Sequence, residues 1–99
     1  GGNTGSKTAP TTPKNVGIKA AGAGIEISWT ANPKAEAVKQ YDVYFSEKAD
    51  GDYKKLKSTD SNKLNYYALA LDGWYRVVAV NDAGQSKPSP AVPYKSKQP

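Results

Sequence analysis

A chain of 99 residues, 37% of them apolar, has room for one modest hydrophobic core and excludes a second. Its formal charge of +5 sits in the ends: residues 1–15 and 85–99 hold Lys7, Lys14, Lys87, Lys95 and Lys97 and no acid. Between them, in residues 16–84, eight Lys and Arg76 face nine carboxylates, and a neutral body with one Arg argues against a nucleic-acid-binding face.

Along the chain, apolar and polar residues alternate with period two and turns interrupt them often, which predicts strands and no helix. Val16, Ile18 and Ala20 mark a first strand after Pro10 and Pro13, and Ala21–Gly24 turns it back. Ile25, Ile27 and Trp29 form the clearest strand, ended at Asn32–Pro33. Residues 34–38 read as a loop. Tyr41, Val43 and Phe45 share the inward face of a third strand, with Tyr44 pointing the other way. Asp50–Gly51 turns into Tyr53–Lys57, an edge strand whose Lys54, Lys55 and Lys57 discourage further pairing. Leu64–Leu71 reads as the next strand, in which neighbours Tyr66 and Tyr67 must face opposite sides. Asp72–Gly73 leads into Tyr75–Asn81, with Tyr75, Val77 and Ala79 inward. Asp82–Gly84 turns into a last strand, Gln85–Lys95, confined to an edge by Pro88, Pro90 and Pro93.

About seven strands at this spacing predict an all-β, seven-stranded antiparallel immunoglobulin-like sandwich, with a five-stranded barrel as the alternative. The expected core is Ile25, Ile27, Trp29, Tyr41, Val43, Tyr75, Val77 and Ala79. Composition bounds the folded part at residues 10–94, with residues 1–9 and 95–99 as flexible tails. No apolar run approaches the ~18–20 residues of a membrane span. The lack of any Met reads as a processed or excised piece, and a monomer is expected.

Little here does chemistry. His and Cys are missing, and with them the commonest general base, the best nucleophile and most transition-metal ligands. Asp50-Gly51-Asp52 is too small for a calcium loop, which needs ~6–8 oxygens. Ala21-Gly22-Ala23-Gly24 lacks the Lys and the helix of a phosphate loop. The expectation is therefore no catalytic residue, no cofactor and no metal. The remaining signal is aromatic: Trp74, beside the inward Tyr75, with Tyr44 and one of Tyr66 and Tyr67, offers a possible ligand or partner contact.

Pro10-x-x-Pro13-Lys14-Asn15-Val16 and Ile25-Glu26-Ile27-Ser28-Trp29-Thr30 resemble the first two strands of fibronectin type III domains. Tyr41-Asp42-Val43-Tyr44 resembles the third strand, and Tyr75 to Gly84, with Ser86 and Ser89, the sixth strand and final hairpin. The resemblance spans residues 10–94. It departs at one point: where the family carries a tyrosine-corner Tyr, six residues before Ala79, stands Gly73. Either the connection is shortened there, or Tyr75 fills the core without the corner bond, and the bond is not expected.

What the resemblance implies is a non-catalytic accessory module, with neighbouring domains of a larger chain as its partners. Cysteine-free, Lys-rich modules of this kind are similar to those of bacterial extracellular polysaccharide-degrading enzymes and cell-wall proteins, so an extracellular or cell-envelope location is expected. The alternative is a binding module for a cell-wall polysaccharide or a protein through the aromatics around Trp74. No Arg-Gly-Asp tripeptide is present.

Overall fold

Period-two alternation gives each strand one apolar face, and in the computed structural model, which describes residues 8–96, two antiparallel sheets close over those faces. The strands are β1 (Lys14–Ala21), β2 (Gly24–Thr30), β3 (Gln40–Ser46), β4 (Lys54–Thr59), β5 (Lys63–Tyr66), β6 (Gly73–Asn81), β7 (Gly84–Gln85) and β8 (Val92–Tyr94). One sheet has the order β1-β2-β5. The other runs β4-β3-β6-β7, with β8 also paired to β6. This is the predicted sandwich, with the seventh strand broken in two.

The core forms where the inward faces meet. Ile25 and Ile27 on β2 have no exposure and Trp29 has 3%; opposite them lie Tyr41, Val43, Tyr75, Val77 and Ala79, all buried. Trp29 meets Tyr41 edge-on, with ring centroids 5.2 Å apart, a favoured geometry for two quadrupoles. Its indole N–H has no hydrogen-bond partner among the described residues, so Trp29 contributes through contact area. Leu64 joins from β5, opposite Ile27. On β4 a register shift opposite Val43–Tyr44 skips Leu56, which packs against the core, while Lys54, Lys55 and Lys57 stay exposed on the edge.

Four local readings change. Residues 34–36, read as loop, form a single 3₁₀ turn ended by Ala37 in the left-handed region (φ 51°). The strand expected at Leu64–Leu71 stops at Tyr66, because Ala68-Leu69-Ala70-Leu71 has weak β propensity and no strand beside it. Asp42, outward by alternation, is nevertheless buried, with Gln40 Nε2 (2.9 Å) and Ser58 Oγ (2.6 Å) donating to its Oδ1. The last strand divides because Pro88 and Pro90 have no N–H to give.

Serine repairs that break. Ser86 N–H donates to the Ala79 carbonyl (2.8 Å) while its Oγ accepts from Ala79 N–H (2.9 Å). Ser89 does the same with Val77, at 2.9 and 2.8 Å. Each hydroxyl stands in for a strand carbonyl, so β6 keeps its hydrogen bonds beside a proline-broken neighbour.

The corner bond, not expected, is present. Tyr75 lies inward and its hydroxyl donates to the Leu71 carbonyl at 2.7 Å. Gly73 cannot carry the corner side chain: its φ is +154°, and a Cβ there would collide with the Phe45 ring and lie 2.7 Å from the Ser46 carbonyl oxygen. Phe45 occupies that space and packs on Tyr75 at 5.0 Å. The connection is shortened, and Tyr75 takes the corner role from two residues later.

Candidate functional site

Alternation on β3 and β6 fixes which side chains reach the outer face of the larger sheet. Tyr44 stands opposite Arg76, and Trp74 opposite Ser46, so the two aromatics are diagonal neighbours on adjacent strands. Both are half-buried. Trp74 also pairs with Pro93 of β8 and lines a shallow hollow with Glu47, Asp72, Tyr94 and Lys95. Arg76 lies over the Tyr53 ring, 3.8 Å from its centroid, a cation–π contact that holds the guanidinium down on the sheet. Arg76 and Tyr53 escaped the sequence reading because their pairing depends on strand order.

The other two aromatic candidates lie elsewhere. Tyr66 and Tyr67 belong to β5 and the turn after it, in the opposite sheet. Tyr66 packs against the core and Tyr67 is 62% exposed, which resolves the pair. Tyr67 follows β5 of the smaller sheet, whereas Tyr44 and Trp74 share the outer face of the larger one. Beyond Tyr67, Leu69 is 98% exposed. No sequence signal marked it, because Leu64–Leu71 read as a strand with a buried face.

Polar groups cluster where the chain joins the sandwich. At one pole the Glu36 carboxylate accepts from Thr11 N–H (3.0 Å), Thr11 Oγ1 (2.7 Å) and Asn32 Nδ2 (2.8 Å). The Asn32 hydrogen bond foremost, helped by Thr11 and the charge of Lys14, holds the Glu36 carboxyl below its ordinary pKa against the penalty of burial. Asn81 is buried there too. Its Nδ2 donates to the carbonyls of Thr8 and Glu36, both at 2.8 Å, and its Oδ1 accepts from Ala83 and Gly84 N–H. At the other pole Ser96 N–H donates to Asp72 Oδ1 at 2.8 Å. The hydrogen-bonded body thus reaches Thr8 and Ser96, beyond the bounds of 10 and 94, and the remaining tail residues lie outside the described residues.

Among the described residues no group of three His, Cys, Asp or Glu is placed to hold a metal ion, and no helix is long and apolar enough to cross a membrane. The arrangement can join, orient and present surfaces.

No family model and no curated protein matches the sequence. Solved structures do. A structure of titin kinase and its flanking domains has a segment similar to this chain at TM-score 0.76 and 20% identity, covering 90% of this chain and 17% of that one. A fibronectin type III-like protein from Clostridium thermocellum is similar at TM-score 0.72 and 21% identity, over 92% of this chain and all of that one. The sixth fibronectin type III domain of a human fibronectin type III domain-containing protein is similar at TM-score 0.72 and 15% identity, over 98% and 97% of the two chains. With two sheets in this order, a tyrosine corner and these neighbours, the chain has the fibronectin type III fold.

Proposed function

We propose that this chain is a non-catalytic accessory module that spaces and positions the domains of a larger protein acting outside the cytoplasm, in a bacterial cell-wall or polysaccharide-active setting. One observation carries the spacer reading. The first and last described residues of the hydrogen-bonded body are tied to opposite ends of the same strand: Thr8 to Asn81, the last residue of β6, and Ser96 to Asp72, which immediately precedes it. Nine residues at ~3.3 Å each put the two anchor points about 30 Å apart. A body entered at one pole and left at the other sets a distance between whatever it joins. The resemblance to fibronectin type III modules and the Lys- and Pro-containing tails support the setting.

Spin labels placed at Thr8 and Ser96 should give a narrow distance distribution by pulsed electron resonance, and Asn81→Ala should broaden it. Pull-downs with peptidoglycan, chitin, cellulose and teichoic acid should show no saturable binding. Saturable binding to any of them would replace the spacer reading with the second one.

That second reading, a glycan- or protein-binding module, is favoured by the shared outer face of Tyr44 and Trp74. Trp74 fluorescence that neither shifts nor quenches under glycan titration removes its support.

A further inference from the structure

The larger sheet has one edge broken by proline and one that is not. Along β7 and β8, Pro88, Pro90 and Pro93 have no N–H to offer. On the other side β4 ends the sheet, six residues whose backbone pairs with β3 alone among the described residues. Leu56 turns to the core, and Ser58 Oγ is tied to Asp42 at 2.6 Å. The charged groups of β4 that stand in water are Lys54, Lys55 and Lys57. Lys54 and Lys55 are strand neighbours and face opposite sides of the sheet, so cations flank the edge on both sides. None of the three has a carboxylate within ion-pair reach; the ion pairs among the described residues are Lys19–Glu26 and Lys39–Asp82. Tyr44 stands between Lys55 and Arg76, which adds one more cation on the outer face. The nearby acids lie off the strand. Exposed Glu47, Asp50 and Asp52 precede it and exposed Asp60 follows it, while Asp42 is buried with Gln40 and Ser58 donating to it.

We infer that the open edge of β4 takes an acidic, extended segment of a partner protein as a further strand of the larger sheet. The backbone of such a segment supplies the N–H and C=O partners that the edge lacks, and its carboxylates meet the lysines. Edge lysines deter pairing by setting an ammonium against the incoming strand. The deterrent holds for a neutral strand and for a second copy of this chain, whose own β4 would bring lysine against lysine. For a carboxylate it changes sign, so one device rejects the wrong strands and admits the acidic one. The acids before Tyr53 and after Thr59 bound the contact, and those of the partner fall across from Lys54 to Lys57. Because Leu56 is turned inward, the edge offers charge and hydrogen bonds rather than apolar area, and Kd falls at about 0.1–1 mM. The inference goes beyond the spacer reading, which survives its failure.

The test is amide NMR of the full chain, titrated with a capped peptide of about eight residues alternating Glu and Thr. Shifts are expected over residues 53–59, with slowed exchange of the β4 amides that face away from β3. Binding should weaken as salt rises from about 0.05 to 0.3 M, and the same peptide with Lys in place of Glu should not bind. A peptide alternating Glu and Pro keeps the charge but loses half its donors, and should bind about tenfold more weakly. Joint replacement of the three exposed lysines, Lys54→Glu, Lys55→Glu and Lys57→Glu, should exchange the preference: the Glu peptide loses about tenfold or more and the Lys peptide gains. The peptide comparisons on the wild type stand without that variant. Equal binding of the Glu–Thr and Glu–Pro peptides would mean an anion contact with no added strand and overturn the proposal. Shifts centred on Tyr44 and Trp74 with β4 unmoved, or unchanged spectra up to about 5 mM peptide, would overturn it as well.

Discussion

Replacing Tyr75 by Phe removes one oxygen from the structure and tests the shortened corner directly. The ring stays, so packing on Phe45 at 5.0 Å and the buried area persist, and no cavity opens. What goes is the hydrogen bond to the Leu71 carbonyl. A bond of this kind contributes about 0.5–1.5 kcal/mol net, and more where the abandoned partner stays dry. Leu71 is only half-buried, so water recovers part of the loss and the expected cost is about 1 kcal/mol. For a domain of this size that lowers Tm by roughly 4–8 °C.

The same hydroxyl gives a second readout. Burial, with the nearby charges of Tyr66, Asp72 and Tyr94, pushes the Tyr75 pKa up to about 12 from an ordinary 10.0. A raised folded-state value in an acid means that the unfolded chain ionises first. The stability tied to this group is therefore whole below pH 10 and drains away as pH climbs from 10 towards 12. The informative quantity is the difference between wild type and variant. Urea melts at pH 7 and at steps from pH 9 to 12 should show the wild type losing its advantage over Tyr75→Phe across that window. A cost below about 0.3 kcal/mol at pH 7, or parallel profiles above pH 10, would refute the corner bond as a stabilising contact.

Trp29→Ala should cost roughly 3–5 kcal/mol, much of a typical domain's ~5–15 kcal/mol, whereas Trp29→Phe should recover most of the loss because the indole N–H bonds to nothing described; chemical denaturation compares the two. Gly73→Ala sets a methyl against the Phe45 ring at positive φ and should destabilise by about 1–3 kcal/mol, with calorimetry as the check. Ser89→Ala leaves the buried Val77 N–H without its acceptor, a cost of about 1–3 kcal/mol, and the Val77 amide should lose hydrogen-exchange protection ahead of its β3 neighbours. Glu36 has a lowered carboxyl pKa, so its contribution is present above the unfolded value of about 4.5 and is lost as pH falls below it. Glu36→Gln should flatten that acid limb, and NMR of the Thr11 amide should report release of the segment.

The alternating triplets Ile25/Ile27/Trp29, Tyr41/Val43/Phe45 and Tyr75/Val77/Ala79 made the sandwich legible, because each pattern tolerates one burial direction only. Residues that need knowledge of who stands opposite were not legible. Asp42 reads as a surface carboxylate until β4 brings Ser58 beside it. The corner bond was unexpected because the motif's usual position is Gly73, and only the packing of Phe45 shows why the hydroxyl arrives from Tyr75. Of the aromatic candidates, Trp74 and Tyr44 separate from the inward-facing triplets by parity alone, and the register places both on the outer face. Tyr67 could not be placed, since a strand read through Leu71 hides the fact that the chain leaves the sheet at Tyr66.

The polar clusters at the two poles and the serine substitutions on β7–β8 act on one element. β6 is flanked by β3 on one side and by two short strands and two serines on the other, so its N–H and C=O groups are occupied along its length although its neighbour contains prolines. Thr8 and Ser96 are tied at its extremities. The distance across the module is consequently set by the length of a fully paired strand, the part of a sheet least prone to local opening. The anchors themselves, Asn81 on Thr8 and Asp72 on Ser96, join β6 to segments outside the sheets and open more readily. Fluctuation then lengthens the connections at either pole while leaving the body rigid. A spacer needs that order of stabilities, with Asn81 as the side chain where the two meet.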